Sequence, residues 1–203
     1  MASPGRRLGG KGWLDVQPRS MGATEIDHVS GDDVSGEDVS GRRGFVRVYL
    51  VQHAEAMSEE RNANRPLTDL GRQHAAWVAD VAAELGIELK QIRHSGKTRA
   101  EETAEIFAEV LQPAEGVKEV SGLSPLDDVE PVAAELDESA DSLMLVGHLP
   151  FMERLAGHLL TGDAHEPVIE FTNAGIVCLE KKVERWQTVW ILTPEIAEIK
   201  IGA

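Results

Sequence analysis

The sequence predicts an α/β fold, a three-layer α/β/α sandwich around a mostly parallel central sheet. Three observations predict it. Short apolar runs rich in β-branched residues alternate with stretches of helical spacing from residue 46 onward. The order strand, turn, helix recurs, which places crossover helices on both faces of the sheet. Only the last two apolar runs are joined by a short charged turn of the hairpin kind.

Composition breaks near residue 45. Residues 1–45 hold nine of the 19 glycines, and His28-Val29-Ser30-Gly31, Asp33-Val34-Ser35-Gly36 and Asp38-Val39-Ser40-Gly41 form a short five-residue repeat. Such a segment cannot bury a core, so this Gly/Ser/Asp-rich tail is expected to be disordered and residues 46–203 to form the domain. Arg6, Arg7 and Lys11 give a positive opening, but no apolar stretch of roughly 7–15 residues follows to make an export signal. The abrupt start at Val46 also carries the expectation that translation begins at Met21 or near Val46, which intact-mass analysis of the native protein reads.

Within the domain, Val46-Arg47-Val48-Tyr49-Leu50-Val51 is β-branched and too short for a helix, so it is a buried strand ending at Gln52-His53. A helix follows Pro66, with Thr68 as N-cap, Leu70, Trp77, Val78, Val81 and Leu85 as its apolar stripe, and Gly86 as its stop. A second strand covers Gln91 to His94. Thr98 to Leu111 is helical through Ala100, Thr103, Ile106, Phe107 and Val110, and ends before Pro113. Val117 to Val120 is a short strand and Val129 to Leu136 a short helix. Leu143-Met144-Leu145-Val146 is a strand broken by Gly147-His148-Leu149-Pro150, after which Phe151 to Leu160 is helical. Ile176 to Leu179 and Thr188 to Leu192 close the chain as a hairpin, with Trp186 and Trp190 expected on one face by the period of two.

Charge and cysteine count exclude several functions. A formal charge of −15 opposes broad binding to a phosphate backbone, so no nucleic-acid partner is expected. Cys178 is the single cysteine, which rules out an internal disulfide and a multi-thiolate metal site. No apolar run approaches the roughly 18 residues needed to span a bilayer, so no membrane partner is expected and the cytoplasm is the expected compartment.

Ligands in such sheets sit at the carboxyl ends of the strands. His53 follows the first strand and His148 the Leu143–Val146 strand, while Arg99 lies just past the second strand at a helix opening. An imidazole can act as nucleophile toward phosphorus, and a guanidinium offers a planar fork matched to phosphate oxygens. Helix N-termini after Ser95 and Pro150 would add backbone N–H donors, so the set suits an anionic phosphoryl group. Among the other histidines, His74 and His94 are read as structural, and His158 and His165 give no metal-site spacing. Cys178 is read as core, and Glu101, Glu102, Glu105 and Glu109 as a solvated helix face.

At these residues the sequence resembles the histidine phosphatase superfamily, and within it the small SixA-type phosphohistidine phosphatases, whose fold is phosphoglycerate mutase-like. The family's strand into Arg-His-Gly is matched by Leu50-Val51-Gln52-His53-Ala54-Glu55-Ala56. Its Arg-Pro-Leu-Thr stretch and glycine are matched by Arg65-Pro66-Leu67-Thr68 and Gly71. Its Ser-Pro-x-x-Arg-Ala-x-x-Thr turn is matched by Ser95-Gly96-Lys97-Thr98-Arg99-Ala100-Glu101-Glu102-Thr103, and its second catalytic histidine by Gly147-His148-Leu149-Pro150. The resemblance implies that His53 is transiently phosphorylated, that His148 and Arg99 hold the phosphoryl group with Gln52 and Arg65 as further phosphate-binding residues, and that water releases phosphate. It implies no metal and no cofactor. In-line attack needs His53 neutral, with its other nitrogen pinned by a backbone carbonyl near the strand end. Glu55, Asp127 and Asp128 are the candidates for general acid.

Three positions depart from the family pattern. Gln52 stands where the motif has arginine, keeping an N–H donor and losing the charge and the fork. Arg65 and Lys97 are the neighbouring cations able to restore charge. Gly96 replaces proline and is expected to loosen the turn carrying Arg99, and Ala54 replaces glycine, which costs stability if φ is positive there. The expected function is a cytoplasmic, metal-independent phosphatase acting on a phosphohistidine-bearing protein, a phosphotransfer domain or carrier. About fifty residues separate Arg99 from His148, leaving no room for a large cap over the crevice. The alternatives are a catalytically silent phosphate-binding or interaction module, created by Gln52, and a broad small-molecule acid phosphatase.

Overall fold

The computed structural model describes residues 46–183 and 185–202, so the expectations for residues 1–45 lie outside the described residues. Six strands form one sheet: β1 (Arg47–Gln52), β2 (Gln91–His94), β3 (Val117–Glu119), β4 (Leu143–Gly147), β5 (Ile176–Lys182) and β6 (Arg185–Leu192). Five helices pack against it: α1 (Asp69–Glu84), α2 (Thr98–Leu111), α3 (Glu130–Glu138), α4 (Phe151–Thr161) and α5 (Pro194–Ile201). The strand order is β3-β2-β4-β1-β5-β6, with β3, β2, β4 and β1 mutually parallel and the β5–β6 hairpin added antiparallel to β1. The mostly parallel three-layer architecture is therefore the one the sequence predicts.

Side-chain alternation along the strands divides the core in two. Tyr49 and Val51 of β1 face a cluster completed by Val78 and Ala82 of α1, Phe107 of α2 and Ala197 of α5. Val48 and Leu50 face the opposite cluster, with Ala133 and Leu136 of α3 and Phe151 and Leu155 of α4. β4 is buried at every position, as a strand covered on both faces must be.

Three local expectations need correction. The buried stripe of α1 is Gly71, Ala75, Val78, Ala79, Val81 and Ala82, whereas Leu70 and Leu85 are 46% and 57% exposed. Small residues face inward because the chain after His53 runs close against the helix; a Cβ at Gly71 would collide with the Glu55 carbonyl oxygen. Second, Trp186 and Trp190 lie on opposite faces. The hairpin register passes from Cys178↔Trp190 to Leu179↔Thr188, and the one extra residue reverses the side-chain sense. Trp190 accordingly packs against Tyr49 at 5.9 Å between ring centroids, while Trp186 enters the other core and donates from Nε1 to Asp137. Third, α5 was not expected. It buries only Pro194 and Ala197 and leaves Ile196 and Ile199 exposed, so it carries no apolar stripe to read.

Candidate active site

The sheet order brings the predicted residues together. β4 lies between β2 and β1, and the pairs Gln52↔Gly147 and His94↔Val146 align the carboxyl ends of all three strands. The next residue on each chain is His53, His148 or Ser95. The His53 backbone N–H donates to Gly147 O at 3.0 Å, and the two imidazole centroids stand 4.9 Å apart. A crevice of about 440 Å³ opens over these ends, lined by Gln52, His53, Arg65, Arg99, His148 and Asn173 together with Glu55 and the apolar Ala56, Pro125 and Leu149. All five predicted site residues are thus on one crevice.

His53 Nδ1 donates to the Ala54 carbonyl at 2.8 Å, which puts the ring proton on that nitrogen. Nε2 is left as a lone pair and accepts from Arg99 Nε at 3.1 Å. Burial pushes the His53 pKa down to about 4; the Ala54 hydrogen bond opposes this, and the Arg99 and Arg65 charges reinforce it. His148 is buried and pushed down to about 3, by burial first and then by His53, Arg99, Lys97 and Arg65. Burial and the Arg65 charge lower the Arg99 pKa as well, although a guanidinium stays charged at neutral pH. The centre therefore combines two neutral imidazoles with guanidinium groups.

Arg65 adopts φ +49, and its Nε donates to Met57 O at 3.2 Å, anchoring one edge of the guanidinium at the crevice wall. Gln52 lines the crevice, yet its Oε1 is buried without a hydrogen-bond partner. Lys97 is exposed and does not line the crevice. Of the candidate acids, Glu55 lines the crevice and accepts from the Thr68 hydroxyl at 2.8 Å. Asp127 instead accepts from the Ser124 N–H and Asp128 from the Glu130 N–H, both away from the lining. Among the described residues no group of three or more His, Cys, Asp or Glu side chains is placed to hold a metal, and no helix is long and apolar enough to cross a membrane.

The departures read differently in three dimensions. Gly96 has φ +78, which a proline held near −65° cannot adopt, so the turn takes another backbone path rather than a looser version of the same one. Ala54 is not among the positive-φ residues; its methyl is buried with Leu67, Ala75 and Ala174, and the anticipated cost does not arise. Glu102 is not part of a solvated face. Its carboxylate accepts from the Leu67 N–H at 2.7 Å and pairs with Arg72 at 2.8 Å, tying the loop after Arg65 to the helix that carries Arg99.

Sequence reasoning missed the roles of three residues here. Asn173 precedes β5, which runs antiparallel to β1, so it arrives at the carboxyl end of β1 and donates from Nδ2 to His53 O at 2.8 Å. Ser95 Oγ lies 2.6 Å from His148 Nε2. Thr103, fully buried, donates to Arg99 O at 2.6 Å and accepts from the Ala54 N–H at 3.0 Å. The matched motifs contain Ser95 and Thr103, but nothing in the local pattern gives their partners. Thr103→Val keeps the shape and leaves the buried Ala54 N–H without an acceptor, so urea unfolding is expected to show a loss of about 1–3 kcal/mol.

A pH dependence follows from the two imidazoles. Unfolded, each binds a proton as pH falls through about 6.5; folded, they resist until about 4 and about 3. The unfolded state binds more protons between those limits, so stability falls as pH drops from about 6.5 towards 3. Urea midpoints measured at pH 7 and pH 5 are expected to differ more in the wild type than in His53→Gln plus His148→Gln. An equal difference in both would remove these imidazoles as the source.

The profile of the histidine phosphatase superfamily, branch 1, matches residues 48–124. The chain is 26% identical over 123 residues to the phosphohistidine phosphatase SixA of Escherichia coli strain K12, an alignment covering 58% of this chain and 76% of that protein. In structure it resembles the protein histidine phosphatase SixA complexed with tungstate, at TM-score 0.65 and 24% identity over 73% of this chain and 97% of the other. It also resembles the putative phosphohistidine phosphatase SixA from Agrobacterium tumefaciens, at TM-score 0.61 and 25% identity over 73% and 98%. The ordered motifs, the sheet order and these likenesses agree: the chain is similar to the histidine phosphatase superfamily over residues 48–124, and its fold is that of the SixA structures.

Proposed function

We propose that this chain is a phosphatase that hydrolyses phosphohistidine on a protein through a phosphorylated His53. The observation that carries the reading is the pinned ring of His53: Nδ1 is engaged by the Ala54 carbonyl, so the free Nε2 lone pair faces the crevice arginine. In the first step Nε2 bonds to phosphorus while the P–N bond of the donor histidine breaks, and the departing imidazole nitrogen takes up a proton. In the second, water attacks the same phosphorus, the bond to Nε2 breaks, and inorganic phosphate leaves. Arg99, Arg65 and His148 stabilise the equatorial oxygens, and the Gln52 amide supplies an uncharged donor. Imidazole is a good leaving group, so the reaction tolerates a weak general acid, a contribution otherwise worth about 10²–10⁴-fold.

The likeness to proteins named as phosphohistidine phosphatases supports this substrate class. So does the crevice, which carries the apolar Pro125 and Leu149 in its wall. A second reading, a silent phosphate-binding module, is favoured by the uncharged Gln52 and its unpartnered Oε1. The test is turnover of a phosphohistidine-labelled protein against an aryl phosphate. Preference for the former is expected; faster ester turnover would make the chain a broad small-molecule phosphatase, and no turnover of either would favour the silent module.

A further inference from the structure

We propose that Ser95 is a positioning residue that fixes which nitrogen of His148 carries the proton, so that Nδ1 is a ready hydrogen-bond donor before any ligand arrives. The kinetic consequence rests on the phosphoryl-transfer reading above; the protonation claim stands without it.

Ser95 is the residue after β2 and His148 the residue after β4, and the parallel register of these neighbouring strands sets the two side by side. Ser95 Oγ and His148 Nε2 are 2.6 Å apart, a short hydrogen bond. The turn that presents the hydroxyl is itself held, because the Gly96 N–H donates to His94 Nδ1 at 3.2 Å. His148 lines the crevice and Ser95 does not, so the contact of the hydroxyl with the crevice runs through the ring.

His148 is 2% exposed and its other nitrogen, Nδ1, is buried without a partner. Burial first, and then the His53 ring and the Arg99, Lys97 and Arg65 charges, disfavour a second proton. A neutral imidazole has one N–H to place. If Nε2 held it, the proton would be given to the serine, and Nδ1 would offer a lone pair, which repels phosphoryl oxygens. If the serine hydroxyl donates to Nε2, the proton sits on Nδ1, on the side of the ring away from Ser95. Only the second arrangement lets His148 donate to an anion while remaining neutral. A donor set in advance costs no reorganisation during reaction.

The experiment is nitrogen-15 NMR of histidine-labelled full chain at neutral pH, free and saturated with inorganic phosphate, read beside the kinetics of phosphohistidine-protein turnover. In the wild type His148 is expected with its proton on Nδ1 in both states. Ser95→Ala is expected to give a mixture of the two tautomers and to lower kcat about 10–100-fold, the range typical for removing a group that orients a functional histidine. Ser95→Thr, which keeps the hydroxyl, is expected to restore the single tautomer and bring kcat to within a few-fold of wild type. A wild-type proton on Nε2, or a Ser95→Ala protein with unchanged tautomer and kcat, would overturn the proposal. A wild type that turns nothing over would overturn the phosphatase reading alone, because the free-protein spectra still decide the role of Ser95.

Discussion

His53→Ala is expected to abolish turnover, with a loss of about 10⁴-fold or more, since removing a nucleophile takes away a step and not merely a stabilising contact. The expectation rests on one ring. Its Nδ1 is committed to Ala54 O and its Nε2 is the lone pair beside Arg99, so no other atom along the crevice offers a neutral nitrogen held in this way. His148 is no substitute, because its Nε2 is engaged by Ser95 and, with the ring proton on Nδ1, it has no free lone pair to offer phosphorus. The measurement is twofold: phosphate release from a labelled phosphohistidine protein, and the label retained on the enzyme after rapid denaturation at alkaline pH, where a phosphorylated imidazole survives. The wild type is expected to carry transient label and the variant none. Wild-type release rates in His53→Ala, with thermal unfolding showing the fold intact, would sink the mechanism.

Gln52→Arg is expected to act in the opposite direction, raising turnover on the order of 10²-fold. Gln52 ends β1 beside Gly147 and lines the crevice with a neutral amide whose oxygen finds no donor. A guanidinium there exchanges that amide for a charged fork matched to phosphoryl oxygens, and one pre-organised donor in such a pocket is typically worth about 10²–10³ in rate. The substitution also has a cost in the empty protein. It would place a third guanidinium near Arg65 and Arg99, where burial first and the Arg65 charge second already lower the Arg99 pKa. The expected signature is therefore a lower thermal midpoint without ligand and a larger upward shift with phosphate than the wild type shows. Unchanged turnover would mean that Arg65 and Arg99 already saturate the requirement. Activity appearing only in the variant would make the natural chain the silent module.

Much of the fold was legible because the information is local. The bounds of α2 and β2 follow directly from the apolar pattern and from Gln112-Pro113 and Ser95, and Thr68 caps α1 by accepting from the Gly71 N–H, as its place before an acidic first turn implies. The predicted backbone carbonyl holding His53 is that of Ala54, the next residue, a contact within reach of sequence reasoning for the same reason. The errors fall where packing overrides pattern. Leu70 and Leu85 match a helical stripe, but the buried side of α1 had to be small to let the chain after His53 approach. Trp186 and Trp190 match a strand period that one extra residue in β6 reverses.

By itself the sequence determined the six strands, the first four helices and the order of four motifs, and hence the family likeness and the nitrogen and guanidinium groups available for chemistry. Tertiary structure alone decided that β4 lies between β2 and β1, which seats Ser95 behind His148, and that β5 returns antiparallel to bring Asn173 to the His53 carbonyl. It likewise decided the depressed pKa values, the bonds that join Thr103 and Glu102 to distant loops, and the unpaired amide oxygen of Gln52. The physical reason is range. Backbone propensity and side-chain periodicity act over a few residues, whereas burial and hydrogen bonding between groups 35 to 120 residues apart exist only once the sheet has chosen its neighbours.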